Sequence, residues 1–134
     1  YTMSDISAAL GLSQLEKLHE FISRRIEIGK VYNNNLKNIF LLANYKIGFP
    51  YRYIIQCKNK IQRDYLKEKL REKGIISSLP FILPLHRYFN FPKENFKNSD
   101  QAFESILSIP VYPALTDNEV SLIIESINKI LAAN

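Results

Sequence analysis

At 134 residues and 15.6 kDa, the chain has room for one core and is too short for the usual two-domain enzyme. Its 46% hydrophobic and 23% charged content sits near globular averages, which excludes a disordered or fibrous chain. The longest apolar runs, IFLLA (39–43) and LPFILPL (79–85), fall far below the roughly 20 residues that cross a bilayer.

No signal peptide is read either. The lone Cys57 cannot make an internal disulfide or a cysteine metal cluster and agrees with a reducing compartment, so the expected localisation is cytoplasmic. The chain opens on Tyr1, two residues before Met3, and sequence upstream of it is expected.

In chain order, Ser4 and Asp5 cap a first helix whose apolar positions recur at Leu15, Leu18, Ile22 and Ile26, the three-and-four spacing of one long amphipathic helix. Its start, ISAALGL (6–12), is apolar on nearly every side, which predicts burial against something larger than this chain's own core. Gly11 and Gly29 each cost about 1 kcal/mol of helix stability relative to alanine and mark a bend or a close backbone approach. Asn33, Asn34 and Asn35 weaken the pattern, and Gly48 with Pro50 ends it.

YRYIIQC (51–57) alternates Tyr51, Tyr53, Ile55 and Cys57 with Arg52, Ile54 and Gln56, which predicts a strand. A helix over 61–73 follows, with Tyr65, Leu66 and Leu70 toward the core and Gly74 as its stop. IISS (75–78) reads as a second strand. Pro80, Pro84 and Pro92 then interrupt a stretch carrying His86, Arg87, Tyr88, Phe89 and Phe91, which predicts an irregular loop, neither helix nor central strand; a loop of that length usually serves a function. A short helix over 100–106 leads to SIPVYP (108–113), a brief edge-like strand. TDNE (116–119) is a capping box opening a helix with Val120, Ile123, Ile124, Ile127 and Leu131 on one face. The element order predicts an α+β fold, a small antiparallel sheet with helices packed on it, in one domain spanning 1–134.

The formal charge of +5 comes mostly from 58–73, where Lys58, Lys60, Arg63, Lys67, Lys69, Arg71 and Lys73 face Asp64, Glu68 and Glu72, a local net of +4. The acidic residues recur in steps of four among basic neighbours, the pattern of a solvated helix face. Tyr65 is the one aromatic residue within it, too little interleaving for a nucleic-acid-binding surface.

Phosphate loops, HExxH, paired CxxC and GxSxG motifs are all absent from the sequence. With two histidines and one cysteine, neither a metal site nor a nucleophilic triad is expected, and no catalytic residue is nominated. His19 lies among charged residues and reads as a surface side chain, and Cys57 reads as a buried core thiol. His86 stands apart, because its loop surrounds a titratable ring with flat aromatic faces suited to a sugar or a base. His86 and Tyr88 are the candidate substrate-binding residues.

Four segments in order resemble the DegT/StrS-type nucleotide-sugar aminotransferases. YTMSDISAALGLSQLEKLHEFISRRIEIGKVYNNNL (1–36) is similar to the family's N-Y-R-M-S-D-x-x-A-A-L-G-x-x-Q-L-x-x-L-x-x-x-x-x-R-R, and RDYLKEKLREKGI (63–75) to its R-x-x-L-x-x-x-L-x-x-x-G-I. LPFILPLHRYF (79–89) is similar to R-P-x-x-x-P-L-H, and LSIPVYPALTDNEVSLIIESI (107–127) to L-S-L-P-x-Y-P-x-L-T-x-x-E-V-x-x-V-I. The resemblance covers essentially the whole chain.

It implies the C-terminal small domain of a fold-type I transferase, one that moves an amino group from an amino acid to a nucleotide-linked keto sugar with pyridoxal phosphate (PLP) as cofactor. The cofactor lysine and the carboxylate on the pyridine nitrogen would lie upstream, in a missing N-terminal large domain. No cofactor contact is therefore expected in this chain, although Tyr1 adjoins the family asparagine that reaches the cofactor phosphate of the partner subunit. The resemblance also places His86 in the loop near the sugar nucleotide, and a homo-oligomer through the first helix is expected. Thr2 and Leu79 stand where the family has arginines, which leaves open an atypical transaminase, a related sugar dehydratase or a decayed paralogue. A stand-alone interaction module reusing the same fold is the alternative.

Overall fold

The computed structural model describes residues 2–37, 39–41 and 49–133; Tyr1, Gly48 and part of IFLLA lie outside them. The elements are α1 (Asp5–Glu16), α2 (Leu18–Asn35), β1 (Phe40–Leu41), β2 (Tyr53–Gln56), α3 (Lys60–Glu72), α4 (Leu85–Tyr88), a 3-10 turn (Lys93–Phe96), α5 (Lys97–Ser105), β3 (Ile106–Ile109) and α6 (Asp117–Ala132). This is the expected α+β layer. Three antiparallel strands lie in the order β1-β2-β3, with Tyr53 opposite Ile109 and Gln56 opposite Ile106.

Ser4 caps α1 as predicted, its Oγ accepting the Ser7 N–H at 3.2 Å. The single long helix is not observed. The chain breaks at Lys17, whose N–H turns back to the carbonyls of Gln14 and Leu15, with no glycine or proline to mark the place. Leu15 and Leu18 stay exposed, Ile22 and Ile26 are half-buried, and full burial begins at Ile28, Gly29 and Tyr32. Gly29 is the close approach that its sequence suggested: a Cβ there would meet Pro50 Cγ at 3.3 Å and Tyr53 Cε2 at 3.8 Å.

Tyr53, Ile55 and Cys57 are buried at period two, and they join Leu107 and Ile109 of β3, Leu66 and Leu70 of α3, Tyr32 of α2 and the apolar face of α6 in one core. Tyr32 and Tyr53 meet edge to face, ring centroids 4.9 Å apart, and Tyr32 donates its hydroxyl to the Pro110 carbonyl at 2.9 Å. Burial raises the Tyr32 pKa and pushes the Cys57 thiol up to about 11, so Cys57 is an inert, neutral core side chain at physiological pH.

Several expectations are corrected. Tyr65 does not face the core; it is half exposed on α3, where the buried inward position is Arg63, which donates to the Phe103 carbonyl at 2.9 Å and to Asp64 at 2.8 Å. IISS forms no strand, only a single bridge between Ser78 and Ser108, although Gly74 does end α3 in the left-handed region at φ 76°. The third strand is Ile106–Ile109, two residues earlier than SIPVYP suggested, and all four of its residues are buried. That burial on both faces has a physical cause: Leu107 and Ile109 point to the core, while Ile106 points to the α4–α5 side. The proline-rich stretch also contains regular structure, the one-turn helix α4.

The capping box is present in both directions, with the Thr116 N–H donating to Glu119 Oε2 at 2.8 Å and the Glu119 N–H to Thr116 Oγ1 at 3.3 Å. All five predicted apolar residues of α6 are buried. The Thr116 backbone N–H, then its hydroxyl, hold the Glu119 carboxyl below its ordinary 4.5. A carboxyl whose folded pKa is depressed stabilises the fold above its unfolded pKa and loses that contribution as pH falls through the folded value. Glu119→Gln keeps an acceptor but not the charge. Its stability deficit against wild type, measured by urea unfolding, is therefore expected at neutral pH and should close below about 4.5; a deficit constant with pH would show that the charge is irrelevant.

Candidate functional site

The site is built on the short helix α4. Pro84 precedes it in an extended conformation (φ −63°, ψ 144°), as its ring requires, and Asn90 leaves the turn with φ 54°, a conformation that asparagine tolerates better than other side chains. The Phe91 N–H returns to the His86 carbonyl at 2.9 Å, so α4 and its exit form a closed, hydrogen-bonded unit.

His86 points inward and is 5% exposed. Its ring stacks on Phe96 with centroids 4.7 Å apart and an interplanar angle of 8°, and its Nε2 lies 3.0 Å from Asp100 Oδ1. The same oxygen accepts from Arg87 Nε at 2.6 Å. Arg87 also packs over the Phe103 ring at 5.4 Å and reaches Glu104 at 3.5 Å. Burial pushes the Asp100 pKa up, but the hydrogen bond and charge of Arg87, with His86, outweigh it and hold the carboxyl below its ordinary 3.8. Asp100 is thus ionised across the neutral range.

Beside this triad lies a cleft of about 470 Å³ walled by Phe81, Leu83, Leu85, Phe103 and Ile106, with the His86 ring on one side. The rest of the lining is apolar apart from Ser99, so the ring is one of two polar side chains that a ligand would meet there. Its rim continues into exposed apolar side chains, with Ile82, Tyr88, Phe89 and Phe91 all open to solvent. A large exposed apolar surface of this kind marks a ligand or protein contact.

Of the two residues nominated from sequence, the structure places both on α4 with different roles open to them: His86 is buried and oriented, and Tyr88 is more than half exposed. Tyr1 lies outside the described residues, while Thr2 is exposed and Leu79 half-buried. Asp100 is the member that sequence reasoning missed. It stands fourteen residues after His86 in what reads as an ordinary acidic first turn of a helix, and no local spacing joins the two. His19 is exposed as expected. Apart from the buried Arg63, the basic stretch of α3 is a solvated face, with Lys69 bonded to Glu72 and Arg71 to Glu68, each at 2.8 Å. Among the described residues no group of three His, Cys, Asp or Glu could hold a metal ion, and no helix is long and apolar enough to cross a membrane.

The two adjacent arginines of the opening motif are spent on architecture. Arg24 binds Asp117 at 2.6 Å and the Leu115 carbonyl at 2.7 Å, tying α2 to the start of α6. Arg25 Nη1 donates to the carbonyls of Val111 at 2.7 Å, Tyr51 at 3.1 Å and Pro50 at 3.3 Å, which holds both loops at the open end of the β2–β3 pair.

Comparison with known proteins agrees along the chain. It is 32% identical over its whole length to an uncharacterized protein of Methanocaldococcus jannaschii, covering 38% of that protein. It is 30% identical over 96% of its length to the GDP-perosamine synthase of Escherichia coli O157:H7, covering 36% of it. Among solved structures, a Streptococcus pneumoniae protein described as a sugar aminotransferase, in its PLP form, superposes with a TM-score of 0.86 at 26% identity, over 98% of this chain and 36% of that one. The chain thus spans little more than a third of the length of these relatives. The DegT/DnrJ/EryC1/StrS aminotransferase family pattern matches residues 1–128, and the chain belongs to that family.

Proposed function

We propose that residues 1–134 are the C-terminal small domain of a PLP-dependent aminotransferase that acts on a nucleotide-linked keto sugar. The observation that carries this reading is the family match over 1–128 in a chain that covers only 36–38% of its relatives, so that most of a complete enzyme is supplied elsewhere. The described residues do not fit the cofactor themselves. A Schiff-base lysine needs a desolvated pocket, and every described lysine here is exposed or half-exposed. PLP is accordingly assigned to the upstream large domain.

Within that enzyme the contribution of this chain is recognition. The α4 surface, with the oriented His86 ring, the exposed Tyr88 phenol and the apolar cleft beside them, meets the nucleotide sugar and positions it. Helix α1 has no buried residue. Its exposed Ile6, Leu10, Leu12 and Leu15, with Met3 just before it, form the interface to the large domain or to a partner subunit of a homo-oligomer, since clustered exposed apolar side chains mark contacts between proteins.

The test is kinetic. In a complete aminotransferase carrying this chain, His86→Ala is expected to raise the KM for the sugar nucleotide about tenfold, the loss of one hydrogen bond of ~1.5 kcal/mol. The half-reaction with the amino donor should stay nearly unchanged. Equal damage to both half-reactions would assign His86 a structural role, and damage to neither would remove it from the site.

A further inference from the structure

Resting on the reading that His86 meets the substrate, we infer that Asp100 is a positioning residue that selects, for the uncharged His86 ring, the form with its proton on Nε2, so that Nδ1 is left to the adjoining cleft as a hydrogen-bond acceptor. The group it recognises is then a donor, a sugar hydroxyl or an N–H, on a ligand that turns an apolar face to the cleft walls.

Stacking on Phe96 at 4.7 Å and 8° sets the plane of the imidazole, but a ring turned over by half a revolution stacks equally well. The choice between the two faces falls to Asp100, whose Oδ1 is 3.0 Å from Nε2. An ionised carboxylate only accepts hydrogen bonds, so the nitrogen facing it must carry the proton. Arg87 strengthens the choice: its Nε donates to the same Oδ1 at 2.6 Å, which keeps the carboxylate charged and in place. In the neutral ring the proton on Nε2 leaves Nδ1 bare, with a lone pair in the ring plane.

Among the described residues, the one fully enclosed side-chain polar atom without a partner is Ser77 Oγ. His86 Nδ1 has no hydrogen-bond partner among them either, yet it is not enclosed, and the ring lines the cleft of about 470 Å³. A buried ring that is held on one nitrogen and open on the other is arranged for a ligand, since core packing alone would satisfy or bury both. The remaining walls, mostly apolar with Phe81, Leu83, Leu85, Phe103 and Ile106 and including Ser99, offer no charge. They fit the C–H face of a pyranose, with a single hydroxyl directed at Nδ1. Oriented polar groups in an otherwise apolar cleft are the usual means by which such sites select one ligand orientation.

Two-bond ¹H–¹⁵N correlation spectra of the ¹⁵N-labelled 134-residue chain read the tautomer of each histidine directly, with exposed His19 as the internal reference. The expected result is His86 with its proton on Nε2 and an unprotonated Nδ1. Asp100→Asn, whose amide donates as well as accepts, should mix the two tautomers, leave His19 unchanged and, in the complete enzyme, raise the sugar-nucleotide KM about fivefold without changing kcat. A wild-type His86 protonated on Nδ1 overturns the proposal without recourse to any variant, as does an Asp100→Asn protein that folds and keeps the wild-type tautomer. The underlying reading fails separately: the Nε2–H tautomer together with an unchanged KM in His86→Ala removes the substrate contact and leaves the positioning by Asp100 standing.

Discussion

Leu10→Asp is expected to leave the melting temperature of the isolated chain unchanged while abolishing its assembly with the upstream domain proposed above. Leu10 is 63% exposed and α1 contributes no residue to the core, so a carboxylate at this position costs the isolated fold almost nothing. The same carboxylate placed in an apolar interface must be desolvated without a partner, which costs several kcal/mol. That is enough to reduce association by three orders of magnitude or more, at about 1.4 kcal/mol per factor of ten. The measurement pairs differential scanning calorimetry on the chain with sedimentation velocity on chain plus upstream domain. A lowered melting temperature would show that α1 packs on its own core, and unchanged assembly would show that the interface lies elsewhere.

Arg25→Ala is expected to destabilise the fold by about 2–4 kcal/mol, from the value of hydrogen bonds that involve a charged group and the cost of leaving their partners unpaired. One guanidinium nitrogen serves the carbonyls of Pro50, Tyr51 and Val111, in the two segments just beyond the last ladder pair, Tyr53 with Ile109. Removing it frees both segments together with the end of β2. Arg25→Lys should recover less than half of the loss, because an ammonium on a flexible stem cannot reproduce the fixed fork of a guanidinium. Urea unfolding at pH 7 measures both variants; a loss below about 0.5 kcal/mol, the range of ordinary surface substitutions, would mean that water replaces the arginine at all three carbonyls.

These arginines show how motif and role separate. Arg24 and Arg25 belong to the opening segment that carries the family resemblance, and the structure turns both toward backbone carbonyls and Asp117. The elements that were legible beforehand are those set by neighbours within a few residues. The capping box of Thr116 and Glu119 works through atoms three residues apart. Gly74 is where it was expected because a left-handed φ of 76° suits a residue without a Cβ, and the alternation through Tyr53, Ile55 and Cys57 follows from the two-residue period of a strand.

What sequence alone determined, then, is the α+β class, the core face of α6, the burial of Cys57 and the family, because each is written in local periodicity, capping chemistry or an ordered set of motifs. Tertiary structure decided the rest. The helix divides at Lys17 because only its second part finds a core to pack on; Tyr65 yields the inward position to Arg63, whose guanidinium reaches the Phe103 carbonyl; and IISS stays a single bridge because only Ser78 meets β3. Asp100 enters the site for the same reason. Its partnership with His86 joins a one-turn helix to α5 through a stacked phenylalanine, and a contact made by folding leaves no repeat or spacing in the chain from which to read it.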